Sequence, residues 1–371
     1  MDIRYGTLFM KKSIRAVVQT GPEALEIQTF AKPLIGENDA LLRVEACGIC
    51  GTDCDSFAGQ FPLQYPIIPG HEPVGSIEEI GPLAAQRWGL APGDRVVVQS
   101  DFGCGRCLGC LNQQACKVSP GSYGFMPTAL VPALWGGFAE MLYLAPGSIP
   151  HKISQSVEPR TAALYNLLGA GFSWAVDVPG LRYGDTLAIF GTGQRGLACV
   201  IAAAASGAQR IFATGLGSCD SHKMALAAQF GAEVIIDVET DNAVECIMEA
   251  TGGRGVDISV DTTPHAAQPV LDAVRCTRPG GTIVLAGLKG AAGVSQFPAD
   301  EVAMRYQTIK GVRAVDYHSF RRAVQLIESG SVPIERMHTH HFSLEQAAAG
   351  IRALSHSGDE GSIAITIEPG L

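Results

Sequence analysis

Residues 185–206 read DTLAIFGTGQRGLACVIAAAAS and decide the fold class of this chain. The apolar run from Asp185 to Phe190 predicts a buried strand, and the alanine-rich run from Leu197 to Ser206 predicts a helix. Between them stands a G-x-G-x-x-G turn, whose glycines permit a tight turn, close approach of a pyrophosphate and close packing of the helix. The stretch therefore predicts a dinucleotide-binding unit, with the cofactor held at Gly191, Gly193, Gln194, Arg195 and Gly196.

Further strands and helices alternate on the C-terminal side of this unit. Apolar strand-like runs, separated by helical segments, end at Thr214, Asp237, Asp261 and Leu285. Such alternation predicts an α/β fold with a doubly wound parallel sheet. Ligands bind beyond the carboxyl ends of such strands, so we expect Thr262 and Gly287 to lie beside the cofactor.

The choice between NAD and NADP depends on the residue that follows the second of these strands. NAD-binding units usually carry an Asp or Glu about 20 residues beyond the glycine turn, where it binds the adenosine ribose. Here the strand ends at Gly215, which removes that acid and its repulsion of a 2′-phosphate. Ser218, His222 and Lys223 could contact such a phosphate, whereas Asp220 could reach a ribose. The choice stays open, with a slight preference for NADP.

Residues before about 160 read as strands broken by Gly and Pro turns, without a helical period. Within them, a thiol, a hydroxyl, an imidazole and two carboxylates lie in the stretch 47–72, at Cys50, Thr52, His71, Asp53 and Glu72. A thiolate and a neutral imidazole suit Zn²⁺, and a catalytic zinc needs three protein ligands and an open fourth position. This stretch predicts a catalytic metal site.

A second cluster of cysteines lies at 104–116. Cys104, Cys107 and Cys110 are spaced three residues apart, and Cys116 follows after five intervening residues. Four thiolates around one metal form a saturated, structural zinc site. A nucleic-acid-binding zinc ribbon would need more basic neighbours than the one Arg and one Lys found here. We therefore expect the four thiols to bind one structural zinc.

The strings CGICGTD at 47–53 and GHEPVG at 70–75, followed by the cysteine cluster and the glycine turn, resemble the zinc-dependent medium-chain dehydrogenases, the alcohol and polyol dehydrogenase family. The resemblance extends from about residue 14 to 368. It implies a GroES-like, β-rich catalytic domain at 1–163 and 312–371 and a Rossmann coenzyme domain at 164–311.

The resemblance also implies roles for the residues of the 47–72 stretch. Cys50 and His71 would be ligands of a catalytic zinc, and Glu72 would lie beside or on the metal. Thr52 would relay the alcohol proton through its hydroxyl. Such roles are chemically consistent, because a Lewis acid stabilises an alkoxide and a hydroxyl can bridge substrate and solvent.

Two positions depart from the family pattern. Polyol dehydrogenases carry a ligating Glu where this chain has Asn166, whose neutral carbonyl oxygen binds zinc less tightly and leaves room for Glu72 as a ligand. The relay His of many alcohol dehydrogenases is Asp55 here, and its carboxylate could accept the proton instead. We therefore expect a catalytic zinc at Cys50, His71, Glu72 and Asn166, in addition to the structural one.

Composition excludes several classes of partner. The 371 residues allow two domains, and 47% hydrophobic residues can form substantial cores. A net charge of -9 argues against nucleic acid or an anionic membrane as a partner. We expect neither a secretory signal nor a membrane span. The eleven cysteines fit metal binding in a reducing cytoplasm better than a disulfide framework.

These observations predict a cytoplasmic, zinc-dependent alcohol dehydrogenase that transfers a hydride between NAD(P) and a secondary or cyclic alcohol or the matching ketone. Two alternatives stay open: a zinc-free NADPH-dependent reductase of activated alkenes or quinones on the same fold, and a non-enzymatic protein that senses a nucleotide or zinc. By analogy with the family, we expect a homo-oligomer, either a dimer or a tetramer.

Overall fold

The computed structural model describes residues 13–112, 116–118, 121–290, 293–313, 315–355 and 361–371. By their internal contacts these residues separate into two units. Within the described ranges, the first unit holds 13–163, 340–355 and 365–371, and the second holds 164–339 and 361–364. How far the catalytic domain extends as a functional unit stays a prediction.

The first unit is built mainly from antiparallel strands. These strands are β1 (Ser13–Gly21), β2 (Ala24–Ala31), β3 (Ala40–Ile49), β4 (Glu72–Ile80), β5 (Arg95–Val98), β6 (Asp101–Phe102), β7 (Gly121–Ser122), β8 (Met141–Leu144) and β9 (Pro150–Lys152). β3 pairs with β4 along its length and with β8 near its start, β4 pairs with β5, and β5 pairs with β9. β1 pairs with β2, and β6 pairs with β7. The β-rich domain that the resemblance implies is confirmed.

Three short helices interrupt these strands and correct the expectation of an all-β beginning. They are α1 (Gly51–Phe57), α2 (Pro82–Trp88) and α3 (Leu108–Leu111). Helices of four to seven residues are too short to show an amphipathic period in the sequence. α1 begins directly after Cys50, whose amide donates a hydrogen bond to Asp53 Oδ2 at 2.8 Å. This contact fixes the backbone of Cys50 at the start of the helix.

The second unit follows α4 (Pro159–Ala162), which ends the first part of the first unit. Its strands and helices alternate in the order α5 (Tyr165–Phe172), β10 (Thr186–Phe190), α6 (Gln194–Ala205), β11 (Arg210–Gly215), α7 (Gly217–Gln229), β12 (Val234–Asp237), α8 (Ala243–Ala250), β13 (Val256–Asp261), α9 (Gln268–Cys276), β14 (Thr277–Leu285), α10 (Ala299–Met304), β15 (Thr308–Gly311) and α11 (Tyr317–Ser329). A π-helical turn, Ser173–Asp177, continues α5.

The sheet of the second unit is parallel throughout. Its strand order is β12-β11-β10-β13-β14-β15, and each neighbouring pair runs in the same direction. This order reverses at β10, as in doubly wound dinucleotide-binding sheets. All residues of β10 and β13 are buried, which fits central strands covered on both faces. The predicted Rossmann fold is confirmed.

The end of the chain adds strands to the sheet of the first unit. The elements of this last segment are β16 (His338–Phe342), α12 (Ala347–Leu354) and β17 (Ala364–Ile367). β17 pairs with β3, with Ile365 opposite Ile49, so that the sheet order becomes β16-β17-β3-β4-β5-β9. Single 3₁₀ turns occupy Ile334–Met337 and Leu344–Gln346. Across the described ranges, none of the helices combines the length and apolar character needed to cross a membrane.

Candidate active site

Three of the four predicted ligands of the catalytic metal come together in the first unit. Cys50 follows β3, and Glu72 begins β4 directly after His71. One ligand atom from each of these three residues lies within 4.8 Å of the others, and all three residues are buried. The antiparallel pairing that sets Gly48 opposite Glu72 brings the two ends of the long β3–β4 connection together. A thiol, an imidazole and a carboxylate at this spacing are a donor set that fits Zn²⁺.

Asp53 orients this cluster, although the sequence analysis gave it no role. Its Oδ1 lies 3.2 Å from His71 Nδ1, and its Oδ2 accepts the Cys50 amide, so one buried carboxylate contacts both ligand residues. A carboxylate on the far nitrogen of a histidine fixes the tautomer and ring orientation of a metal ligand. Asp53 closes the CGICGTD string, but that position does not by itself indicate a contact with His71, 18 residues away.

Asp53 also sets the charge state of the histidine. Burial by itself lowers the pKa of His71, but the charge and hydrogen bond of Asp53, with smaller contributions from Cys50, raise that pKa well above its usual range. The cluster therefore has a negative electrostatic potential, and it attracts either a proton or a cation. A bound divalent metal would take the place of the proton on the imidazole.

Glu72 fits beside the ligands because the opposite residue is glycine. A Cβ on Gly48 would lie 2.4 Å from Glu72 Oε2, which is far inside van der Waals contact. Glu72 is 1% exposed, and its Oε1 lies 4.0 Å from His71 Nε2. The first glycine of the CGICGTD string thus makes room for a carboxylate at the cluster.

The two predicted proton-relay residues lie on α1. Thr52 Oγ1 is 3.8 Å from Cys50 Sγ, so the hydroxyl reaches the ligand cluster. Asp55 is partly buried, three residues further along the helix. Their roles in a relay stay predictions.

Asn166, the fourth predicted ligand, belongs to the second unit. Its side-chain oxygen and its main-chain oxygen each accept a hydrogen bond from Arg195 Nη1 at 3.0 Å. The guanidinium of Arg195 also lies over the ring of Trp174, 5.6 Å from its centroid. Asn166 thus holds the side chain of Arg195 in place, and its role as a metal ligand stays a prediction.

The four cysteines of the second cluster also converge. Their sulfurs lie within 4.8 Å of one another, with Cys107 Sγ 3.6 Å from Cys110 Sγ and 3.8 Å from Cys116 Sγ. A tetrahedral zinc with bonds of about 2.3 Å places its sulfur ligands about 3.8 Å apart. The amide of Cys110 donates to Cys107 and is the main cause that lowers the pKa of the Cys107 thiol. This geometry fits a structural zinc. No disulfide joins any of the eleven cysteines, all of which lie in the described ranges.

The glycine turn of the second unit has the shape of a pyrophosphate cradle. Gly191 has a φ of 95°, and a Cβ on Gly196 would stand 1.9 Å from the Gly191 carbonyl oxygen. A Cβ on Gly193, by contrast, would meet nothing within 4 Å, so the backbone is open there to a ligand. Among the described residues, the buried atoms Thr192 Oγ1 and Gln194 Oε1 find no hydrogen-bond partner. Open backbone and unsatisfied polar atoms at a helix N-terminus fit a dinucleotide.

The remaining predicted cofactor neighbours lie at the carboxyl ends of β11, β13 and β14. Thr262 Oγ1 donates to the Phe190 carbonyl at 2.8 Å, and Gly287 packs so closely that a Cβ would stand 2.0 Å from Thr263 O. A Cβ on Gly215 would stand 2.7 Å from Met224 Cγ. These three residues therefore shape the strand ends, and direct contact with a cofactor stays a prediction.

A buried ion pair at the same edge was missed by the sequence analysis. Lys289 Nζ lies 2.6 Å from Asp261 Oδ2, and it donates to Thr263 O at 2.5 Å. The side chains of Lys289 and Asp261 are 11% and 0% exposed. The pair ties the loop after β14 to the end of β13. No local motif announces it, since the partners are far apart in the sequence.

Comparisons with known proteins give the same picture. The Alcohol dehydrogenase GroES-like domain matches residues 36–154, and the Zinc-binding dehydrogenase family matches residues 196–329. A probable alcohol dehydrogenase of Mycobacterium tuberculosis is 40% identical over 339 residues, which cover 90% of this chain and 92% of that protein. The erythritol/L-threitol dehydrogenase of Mycolicibacterium smegmatis is 28% identical, with 96% and 98% covered.

A solved structure extends the likeness to three dimensions. The zinc-binding dehydrogenase of Sinorhizobium meliloti 1021, bound to NADP, matches with a TM-score of 0.84 and 27% identity, and covers 96% of this chain and 100% of that one. The comparisons of sequence and of fold agree. The chain belongs to the zinc-binding medium-chain alcohol dehydrogenases.

Proposed function

We propose that the protein is a zinc-dependent alcohol dehydrogenase that transfers a hydride between NAD(P) and a secondary or cyclic alcohol or the matching ketone. As a family member it is an NAD(P)-dependent oxidoreductase acting on CH–OH groups. The observation that carries the proposal is the buried cluster of Cys50, His71 and Glu72 with Asp53 behind it. Such a cluster, with one carboxylate oriented toward the histidine, is costly to keep without a cation.

In the proposed mechanism, a bound zinc would act as a Lewis acid that lowers the pKa of the alcohol hydroxyl. Cys50 and His71 would hold it, with Glu72 as a further ligand or as a neighbouring charge. Thr52, whose hydroxyl lies 3.8 Å from Cys50 Sγ, would take the alcohol proton and pass on its own. Asp55 would accept that proton further along α1.

In the second unit, the glycine turn at 191–196 would hold the cofactor pyrophosphate. Gly193 would allow close approach of the backbone, and the amides at the start of α6 would donate to the phosphates. The unsatisfied atoms Thr192 Oγ1 and Gln194 Oε1 would gain partners from the cofactor. Arg195, which Asn166 holds, would supply positive charge near the phosphates.

The substrate class is supported by chemistry and by the relatives. A sugar alcohol is the named substrate of the 28% identical erythritol/L-threitol dehydrogenase, and sugar alcohols carry secondary hydroxyl groups. We propose in addition a cytoplasmic homo-oligomer, a dimer or a tetramer, with the catalytic domain at 1–163 and 312–371 and the coenzyme domain at 164–311.

The test is the zinc content per chain, measured by elemental analysis together with turnover of a panel of secondary and cyclic alcohols. We expect two zinc ions in the wild type and one in Cys50→Ser, which should also lose activity. Cys54→Ser is the matched control, because Cys54 also lies in this region but its sulfur contacts the Ile351 carbonyl instead of the cluster. It should keep both zinc ions.

One zinc in both the wild type and Cys50→Ser would contradict the proposal. In that case a panel of activated alkenes and quinones with NADPH would test the zinc-free reductase. A protein that binds the cofactor but turns over neither panel would be a sensor.

A further inference from the structure

Two acids, Asp237 at the end of β12 and Glu239 two residues further on, lie close to Gly215, the position at which the usual ribose-binding acid is missing. We propose that Asp237 and Glu239 select NAD(H) and exclude NADP(H). The inference rests on the proposed function, since the ligand is the nicotinamide cofactor that the glycine turn would hold. It departs from the slight preference for NADP that the sequence alone suggests.

Gly215 cannot itself carry the missing acid. A Cβ there would stand 2.7 Å from both Met224 Cγ and Thr192 Oγ1, because α7 packs close to the end of β11. Any side chain at this position would have to displace the side chains of Met224 in α7 and Thr192 in the glycine turn. Discrimination between the two cofactors must therefore come from neighbouring residues.

The hydrogen-bond donors that follow Gly215 are already occupied. The amide of Gly217 donates to Asp237 Oδ1 at 2.9 Å. The amide and the hydroxyl of Ser218 donate to the two carboxylate oxygens of Glu239, at 2.7 and 2.9 Å. A 2′-phosphate at the start of α7 would need these same donors. To bind there, it would have to displace two carboxylates.

The positive charge that could attract a 2′-phosphate is also neutralised by a neighbouring acid. Lys223 Nζ pairs with Asp220 Oδ1 at 2.8 Å, and the two side chains are only 17% and 21% exposed. His222 is partly buried, and its Nε2 is enclosed and has no hydrogen-bond partner in the part of the chain that the structure describes. The stretch 215–223 contains no Arg. Of the groups that the sequence analysis considered for a 2′-phosphate, the hydroxyl of Ser218 and the ammonium of Lys223 are each bound to an acid.

The sum of these charges disfavours the extra phosphate. Asp220 lies in the first turn of α7 and is paired with Lys223, while Asp237 and Glu239 accept hydrogen bonds from the amides of Gly217 and Ser218 at the start of that helix. A like charge within about 6 Å lowers affinity about threefold even at the dielectric constant of water, and a 2′-phosphate carries close to two charges. The 2′-hydroxyl of NAD carries none, and it can donate to a carboxylate. The geometry therefore favours NAD.

The experiment is a fluorescence titration of the wild type with NADH and with NADPH, supported by competition with 5′-AMP and 2′,5′-ADP. We expect NADH to bind at least about tenfold more tightly than NADPH, and 5′-AMP to compete better than 2′,5′-ADP. In Glu239→Gln the ratio of the two dissociation constants should fall about threefold or more, and it should fall further when Asp237→Asn is added.

The matched control is Glu233→Gln. It removes the same charge from the opposite, amino-terminal end of β12, where Glu233 pairs with Arg210 at 2.8 Å, and it should leave the ratio unchanged. Glu239 is exposed, so Glu239→Gln alone tests the inference if Asp237→Asn impairs folding. In the wild type, higher salt should bring the dissociation constants of NADH and NADPH closer together, because exposed charges are screened.

Two results would overturn the inference: NADPH binding as tightly as NADH, or a ratio that Glu239→Gln and the double variant leave unchanged. Failure of the proposed function looks different, since it would appear in the zinc content and in the turnover of the alcohol panel, while the titration would still rank the two cofactors. The two experiments together therefore separate an error in cofactor choice from an error in the function itself.

Discussion

A single carboxylate, Asp53, connects two of the groups that make the candidate metal site. It contacts the His71 ring on one oxygen and the Cys50 amide on the other, and it is 3% exposed. Buried carboxylates of this kind are retained where they hold a cation ligand in one orientation. The arrangement makes Asp53 a positioning residue that need not touch the substrate.

Asp53→Asn should weaken zinc binding at this site about 10- to 100-fold, because an amide orients the imidazole less strongly and removes a negative charge. The measurement is zinc affinity by competition with a chromogenic chelator, with the turnover number recorded in parallel. Asp101→Asn, an exposed acid in the same unit, serves as the control. Unchanged zinc affinity in Asp53→Asn would mean that the carboxylate only stabilises the turn.

At the residue scale, sequence spacing predicted the convergence of Cys50, His71 and Glu72 but gave no role to Asp53. The predicted ligands stand at the ends of one loop, where spacing and residue type are informative. The hydrogen bond between Asp53 and His71 depends on how the loop folds back, which no local pattern encodes. Lys289 and Asp261 are a second case, because their contact joins the loop after β14 to the end of β13.

At the scale of elements, the loop of four cysteines has little regular structure in its described residues. In the described part of this loop the only helix is α3, which has four residues, none of them buried. So little apolar contact cannot hold a loop in one conformation. We infer that metal coordination supplies the missing free energy.

Cys107→Ser should therefore remove one zinc per chain and lower Tm by roughly 3–4 °C, as expected for a loss of about 2–3 kcal/mol in a chain of 371 residues. Elemental analysis and calorimetry measure both effects. Cys219→Ser, at a partly buried cysteine of α7 outside both clusters, should keep the zinc. A normal zinc content in Cys107→Ser would exclude this sulfur as a ligand.

The helices and strands differ in how clearly the sequence pattern predicts them. The strands and helices around the glycine turn follow from long apolar runs and alternation, so the parallel sheet was predicted correctly. The helices α1, α2 and α3 were missed, because a helix of four to seven residues has no period to detect. α1 depends instead on the contact of Asp53 with the Cys50 amide.

At the scale of the molecule, one buried acid links three strands of the second unit. Asp257 of β13 accepts hydrogen bonds from the amide and hydroxyl of Thr186 at the start of β10, and from Arg278 Nε of β14 at 2.6 Å. Burial by itself raises the pKa of Asp257, but the bonds from Arg278 and Thr186 and the charge of Arg254 lower it below its usual value.

This shift makes stability depend on pH. A carboxylate whose pKa is lower in the folded than in the unfolded state stabilises the fold fully above the unfolded value of about 4, and the effect is lost as pH falls through the folded value. Asp257→Asn should therefore lower the free energy of unfolding by about 2 kcal/mol at neutral pH, and the difference from wild type should shrink below about pH 4.

Urea denaturation of wild type and Asp257→Asn across pH 3–8 measures this difference. Asp300→Asn, at an exposed acid of α10, is the control and should behave like the wild type throughout. A difference that stays constant with pH would show that packing, not charge, accounts for the loss of stability.

The candidate catalytic metal site closes the neck of a long loop. β3 ends at Ile49 and β4 begins at Glu72, and Gly48 pairs with Glu72. The candidate ligands Cys50, His71 and Glu72 therefore lie at the two ends of the connecting loop. A cation bound there would clasp residues 50–71 at their base and remove most of the entropy that the open loop would gain. Opening of the loop and release of the cation would then be one event. Amide hydrogen exchange in this loop would report metal occupancy.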